Sequence, residues 1–114
     1  MKKSVTTKRE ILLIISIIFI TIIMIGITFN FFAITKNGGK MPVYTTYEYE
    51  TETHFSFHDF TKINYPYYSD FIKVKNSVFS IGDFLMVGGT EIMILFFGWY
   101  IVNLLREQWG KEKY

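Results

Sequence analysis

The side chains best suited to chemistry crowd into TYEYETETHFSFHDF, Thr46 to Phe60, where Glu48, Glu50, Glu52, His54 and His58 occur together. Carboxylates and imidazoles ligate zinc and related divalent ions, and imidazole titrates near neutral pH, so the stretch has the groups to hold a metal or to sense protons. Spacing argues against chelation. Val43, Thr45, Tyr47, Tyr49, Thr51, Thr53, Phe55 and Phe57 alternate with Tyr44, Thr46, Glu48, Glu50, Glu52, His54 and Ser56, and the polar set continues to His58. A period of two predicts a half-buried strand near 43–58 with the acids and histidines on its wet face. Neighbours on one face of a strand stand about 6–7 Å apart, whereas zinc gathers its ligands at about 2.0–2.2 Å. No metal is therefore expected. His54, His58 and Glu52 form at most a weak metal or pH-sensing set, and only if a second strand adds ligands.

Asp83 and Glu91 are the ionisable residues inside a second stretch, the apolar run Phe79 to Leu105, FSIGDFLMVGGTEIMILFFGWYIVNLL. An acid in hydrocarbon costs roughly 2.5–3.5 kcal/mol or more, so such residues face a partner or an aqueous cavity. Asp83, near the start of the run, can stay hydrated at an interface or cap a helix beginning at Phe84, with Ser80 and Gly82 as boundary residues. Glu91 lies eight residues on, about 12 Å deeper along a helix, with no basic residue in the run to pair with it. It must find a partner or take up a proton. In an antiparallel hairpin its level matches Gly26 and Thr28, while Gly88 and Gly89 let backbones approach. A hydrogen bond from Glu91 to Thr28 is one expectation, contact with another membrane protein a second, and ion or proton handling a third.

The elements that must position these groups follow from hydropathy. Ile11 to Ile34, ILLIISIIFITIIMIGITFNFFAI, carries no charge and is long enough at ~1.5 Å per residue to cross a hydrocarbon core of about 30 Å. It is too long, and followed by residues too large, for a cleaved signal peptide, although Lys2, Lys3, Lys8 and Arg9 precede it. The fold class expected is a membrane hairpin: a basic N-terminus over 1–10, helices over 11–34 and 78–105, an extracytoplasmic loop over 35–77 with one or two strands, and a tail over 106–114. The bias of Lys and Arg at the helix ends puts both termini in the cytoplasm of a multi-pass cell-membrane protein. Phe71 to Lys75 also alternates, and the turn-prone KINYPYYSD between the two alternating stretches makes them candidates to pair. Tyr65, Tyr67 and Tyr68, and at the other end Trp99, Tyr100 and Trp109, have the amphipathic rings of interfacial belts.

Several classes are excluded. Without cysteine there is no disulfide, thiolate site or lipobox. The net charge of +2 carries no basic stripe, so nucleic acid is not a partner, and no phosphate loop, nucleophile elbow or zinc motif points to a cofactor.

FSIGDFLMVGG, Phe79 to Gly89, resembles the final catalytic segment of lipoprotein signal peptidases, in which an Asp follows Phe-Asn-x-Ala and a Gly lies six residues later. The resemblance implies a catalytic role for Asp83 in a pair of aspartates that activates water. Ser80 stands where that family has Asn, and its second motif, Asn-x-x-Asp-Arg, has no counterpart, Asp59 and Asp70 lying in other surroundings. The reading that leads is a non-enzymatic accessory, regulatory or immunity-type subunit bound to the bilayer and to another membrane protein or to its own copies. A membrane hydrolase fragment using Asp83 comes next, and an oligomeric pore or holin-like protein after it.

Overall fold

The computed structural model describes residues 7–113. The expectations for Lys2 and Lys3, for the side chain of Lys113 and for Tyr114 lie outside the described residues. Helix α1 spans Lys8–Thr35. It starts where the Thr7 side chain accepts a hydrogen bond from the Glu10 N–H at 3.2 Å. It ends where Gly38 and Gly39 turn left-handed, at φ 77° and 89°, a conformation free of strain only without a Cβ. Helix α2 spans Ile81–Lys113. It begins three residues before Phe84 and absorbs the tail expected to stand apart, because Leu, Arg, Glu, Gln and Lys there favour helix.

The helices run antiparallel in close contact. A Cβ placed on Gly26 would lie 2.6 Å from the Gly82 carbonyl oxygen, so the backbones meet at this pair. Further along, Gly89 faces Ile23, Phe19 approaches Phe96 at 6.4 Å, and Lys8 reaches Glu107 at 3.4 Å. Both helices are long and apolar enough to cross a membrane, and only 6% of the most apolar stretch of each is buried inside the molecule.

The joining segment carries four short strands in two pairs. Strand β1, Met41–Tyr44, pairs in parallel with β2, His54–Phe57, in the register Met41↔His54 to Tyr44↔Phe57. The single strand expected near 43–58 is thus broken. Residues 49–51 fold back on β2, with the Ser56 N–H donating to the Tyr49 carbonyl at 3.0 Å and the Thr51 N–H to the His54 carbonyl at 2.8 Å. The Thr51 hydroxyl accepts from the N–H groups of Thr53 and His54, closing a turn that competes with extended chain. Alternation alone cannot see that turn. Strand β3, Ile72–Val74, and β4, Ser77–Phe79, form an antiparallel hairpin with Lys75 at φ 55° in its turn. Residues 71–75 therefore pair with their near neighbours rather than with the earlier strand, since a short loop has less closure entropy to lose.

Aromatic packing seats this segment on the helices. Tyr68 stacks on Phe29 of α1 at 4.4 Å and on Tyr65 at 5.8 Å, while Asn64 donates to the Lys36 carbonyl at 2.7 Å and so covers the end of α1. Among the described residues Ala33, Met41, Pro42, Val43 and Phe57 are buried apolar side chains.

Candidate functional site

Where the hairpin β3–β4 runs into α2, Ser80 is the helix cap. Its hydroxyl accepts from the Asp83 N–H at 2.9 Å, and Asp83 Oδ2 accepts from the Ser80 N–H at 3.1 Å. This reciprocal capping satisfies two backbone donors that a helix start would otherwise leave free. Asp83 therefore does sit at a helix start, but in its first turn, reaching back to Ser80, and not as the residue ahead of Phe84. Asn30 of α1 completes the node: its Nδ2 donates to Asp83 Oδ1 at 2.9 Å and its Oδ1 accepts from the Ser80 hydroxyl at 2.6 Å. Only because Gly26 and Gly82 bring the backbones together can Asn30 span this gap.

Asp70 enters from the other side. Its N–H donates to the Pro42 carbonyl at 3.0 Å and its carbonyl accepts from the Tyr44 N–H at 2.8 Å, so β1 holds its backbone on both sides. The hairpin joins it to Asp83 by the shortest route, because the pair Ile72↔Phe79 closes the strands two residues after Asp70 and one before Ser80. Asp70 is 6% exposed, and its buried Oδ1 has no hydrogen-bond donor. Burial first, and then the nearby Asp83 carboxylate, push the Asp70 carboxyl up to about 7. On the solvent side the half-exposed His54 brings Nε2 to 3.7 Å from Asp70 Oδ2. The node thus combines a buried acid raised toward neutral pH, a second acid held by an amide and a backbone N–H, and an imidazole at its rim.

The remaining candidates are scattered. His58 Nδ1 donates to the Thr45 carbonyl, Glu52 is exposed, and Glu50 pairs with Lys40 at 2.8 Å, which holds the Glu50 carboxyl below its usual range. Among the described residues no three histidine, aspartate or glutamate side chains gather closely enough to hold a metal ion. Glu91 is exposed, and the bond expected to Thr28 is absent, the Thr28 hydroxyl donating instead to the Met24 carbonyl at 2.8 Å. The expected level was wrong because Gly82 faces Gly26 and Gly89 faces Ile23, which carries Glu91 past Thr28 toward the terminal end. Gly26 and Gly89 lie in the helix contact, whereas Gly88 has open space around it.

Asn30 carries no role in the sequence reading, which takes Gly82 only as a boundary residue and sets Asp70 aside for its surroundings. Asn30 was findable as the lone amide in the first apolar run, and Ser80-x-x-Asp83 has capping-box spacing. For Asp70 no local signal exists, since its place depends on pairing with β1.

No curated protein and no solved structure matches the chain. The match that exists is to a family model described as a family of unknown function, DUF5317, over residues 10–95, which take in nearly all of α1, the whole joining segment and half of α2. The chain belongs to the DUF5317 family.

Proposed function

We propose that the chain is a two-span membrane protein whose working centre is the Asp70–Asp83 carboxyl pair, an acid–base hydrolase site at the membrane surface. The observation that carries this reading is the buried, donorless Asp70 carboxyl beside Asp83. In such a pair the ionised carboxylate takes a proton from water as its oxygen attacks a carbonyl carbon, and the protonated acid gives its proton toward the substrate; the acyl bond breaks and the leaving group departs protonated. Asn30 and Ser80 hold Asp83 in place, and His54 lines the approach from solvent. Asp70 also supplies the second carboxylate that the sequence reading of Asp83 lacked. Access to the pair requires the segment around His54 to shift, because Asp70 is covered.

Membrane placement rests on two helices whose apolar faces are bare, with Leu13 60% and Leu95 72% exposed. With both termini inside, cysteine at Glu52 on whole cells is labelled by an impermeant thiol reagent and cysteine at Lys111 is not; the opposite pattern overturns that topology. For the chemistry, membranes from cells making the wild type are compared with Asp83→Asn and Asp70→Asn by sequencing newly formed protein N-termini on the loop side. Cleavages present with the wild type and lost in both variants support the reading. Identical sets from all three sink it.

Exposed Glu91, a third of the way along α2, favours a second reading, a regulatory or immunity-type subunit whose intramembrane acid meets another membrane protein.

A further inference from the structure

A proton reaching or leaving the buried Asp70 carboxyl has to pass a neighbouring side chain or wait for the covering segment to open. Three titratable neighbours face it. Asp83, on α2, is itself tied by the Asn30 amide and the Ser80 N–H. Tyr49, on the stretch that folds back over β2, has its phenol pushed up by burial first and then by Tyr47 and Asp70, so it keeps its proton across neutral pH. The third is His54, and imidazole is the side chain whose ordinary charge change spans neutral pH.

The His54 side chain is 42% exposed and that of Asp70 9%, so the ring reaches from water to the buried acid. Nε2 stands 3.7 Å from Asp70 Oδ2, and a small turn of the exposed ring brings it within hydrogen-bond reach. On the other side of the ring, Nδ1 lies 2.7 Å from the Thr53 hydroxyl. A hydroxyl donates to a bare Nδ1 or accepts from a protonated one, so Thr53 holds the ring the same way in both tautomers and in the imidazolium.

From this geometry we infer that His54 is the proton carrier of the node, exchanging a proton between Asp70 and bulk water while the segment over the pair stays closed. The inference rests on the Asp70–Asp83 pair of the reading above and not on the hydrolysis assigned to it. Outward, the Asp70 O–H bond breaks as Nε2 takes the proton, leaving a carboxylate and an imidazolium. Water then takes the Nδ1 proton and becomes hydronium, and the ring is neutral with its remaining proton on Nε2, facing the carboxylate. Inward, hydronium gives a proton to Nδ1 and the Nε2 proton passes to Asp70. An acid that works repeatedly has to be reprotonated after each turn, and His54 is placed to do it.

The test follows proton uptake by full-length protein in mild detergent, using a flash-released caged proton and an indicator dye just above neutral pH. The phase that belongs to Asp70 is the one missing from Asp70→Asn. In His54→Ala that phase slows about tenfold, and free imidazole restores it. His54→Gln, which keeps a donor and an acceptor but does not titrate, slows it equally, while His58→Ala, at the chain's other histidine, leaves it unchanged. An unchanged rate in His54→Ala, equal slowing in His58→Ala, or indifference to imidazole overturns the proposal. So does a wild-type rate in His54→Gln, which marks a structural role. If Asp70→Asn lacks no phase, the buried pair exchanges no proton, and both the carrier and the reading above fall. If the phases behave as expected while wild type and carboxyl variants give identical cleavage, the carrier stands and the hydrolysis alone falls.

Discussion

The two ends of one helix pair are built by different rules. At the loop end, Gly26 and Gly82 touch backbone to backbone, and Asn30, Ser80 and Asp83 exchange hydrogen bonds in a half-buried network. At the terminal end the link is Lys8 to Glu107, 3.4 Å apart with both side chains more than half exposed, and Gly110 stands in open space. The polar groups at the first end have lost water and must satisfy one another, so each depends on the rest. Those at the second keep their water and depend on little.

The sharpest way to test the contrast is pH. Asp70 has its folded-state pKa raised from the ordinary carboxyl value to about 7, chiefly by burial. The unfolded chain therefore releases this proton first as pH rises, and the contribution of Asp70, complete in acid, is lost by the time pH passes 7. That loss is up to about 4 kcal/mol between pH 4 and pH 7.5. Asp70→Asn should remove this part of the slope and leave the variant the more stable protein above pH 7. Denaturant titrations of both proteins in mild detergent at the two pH values measure the difference; parallel slopes would mean that the pair is not coupled to folding.

Smaller, and opposite in sign at the two ends, are glycine replacements. Gly82→Ala puts a methyl against the Gly26 carbonyl and the Asn30 side chain and should cost about 3 kcal/mol, combining overpacking with a strained hydrogen bond. Gly110→Ala meets nothing and should stabilise by up to about 1 kcal/mol through helix propensity. The same denaturation assay reads both, and a Gly82 variant as stable as wild type would break the comparison. Least of all should change when Lys8 and Glu107 are both made Ala: a shift within about 0.5 kcal/mol, fading further in salt.

How much of this could be read beforehand differs along the chain. Both long helices were legible because hydropathy is summed over turn after turn of sequence, and errors of three residues at their starts, or of eight where α2 runs on through the tail, leave the apolar stretches in place. The joining segment was not. Thr51 closes a turn through its hydroxyl, which interrupts an alternation that reads as one strand from Val43 to Phe57. At the candidate site, Asp83 stood out because it interrupts a long apolar run, whereas Asp70 lies in a mixed loop sequence and acquires its environment only from strand β1 and helix α2. The expected bond between Glu91 and Thr28 depended on a helix register that glycine contacts, invisible in hydropathy, set differently.

The β3–β4 hairpin also bears on the order of assembly. Its strands are joined by a tight local turn, so it can close in about 1–10 μs, well before contacts between residues as distant as Asn30 and Asp83. Asp70 and Asp83 are then drawn together while neither Asn30 nor β1 is yet in place. Until β1 and α2 cover it, Asp70 stays in the ordinary carboxyl range and is charged across neutral pH, so the proton is taken up only as burial completes. Acidity should therefore act on the far side of the folding barrier, slowing unfolding more than it speeds folding, with that pH dependence lost in Asp70→Asn.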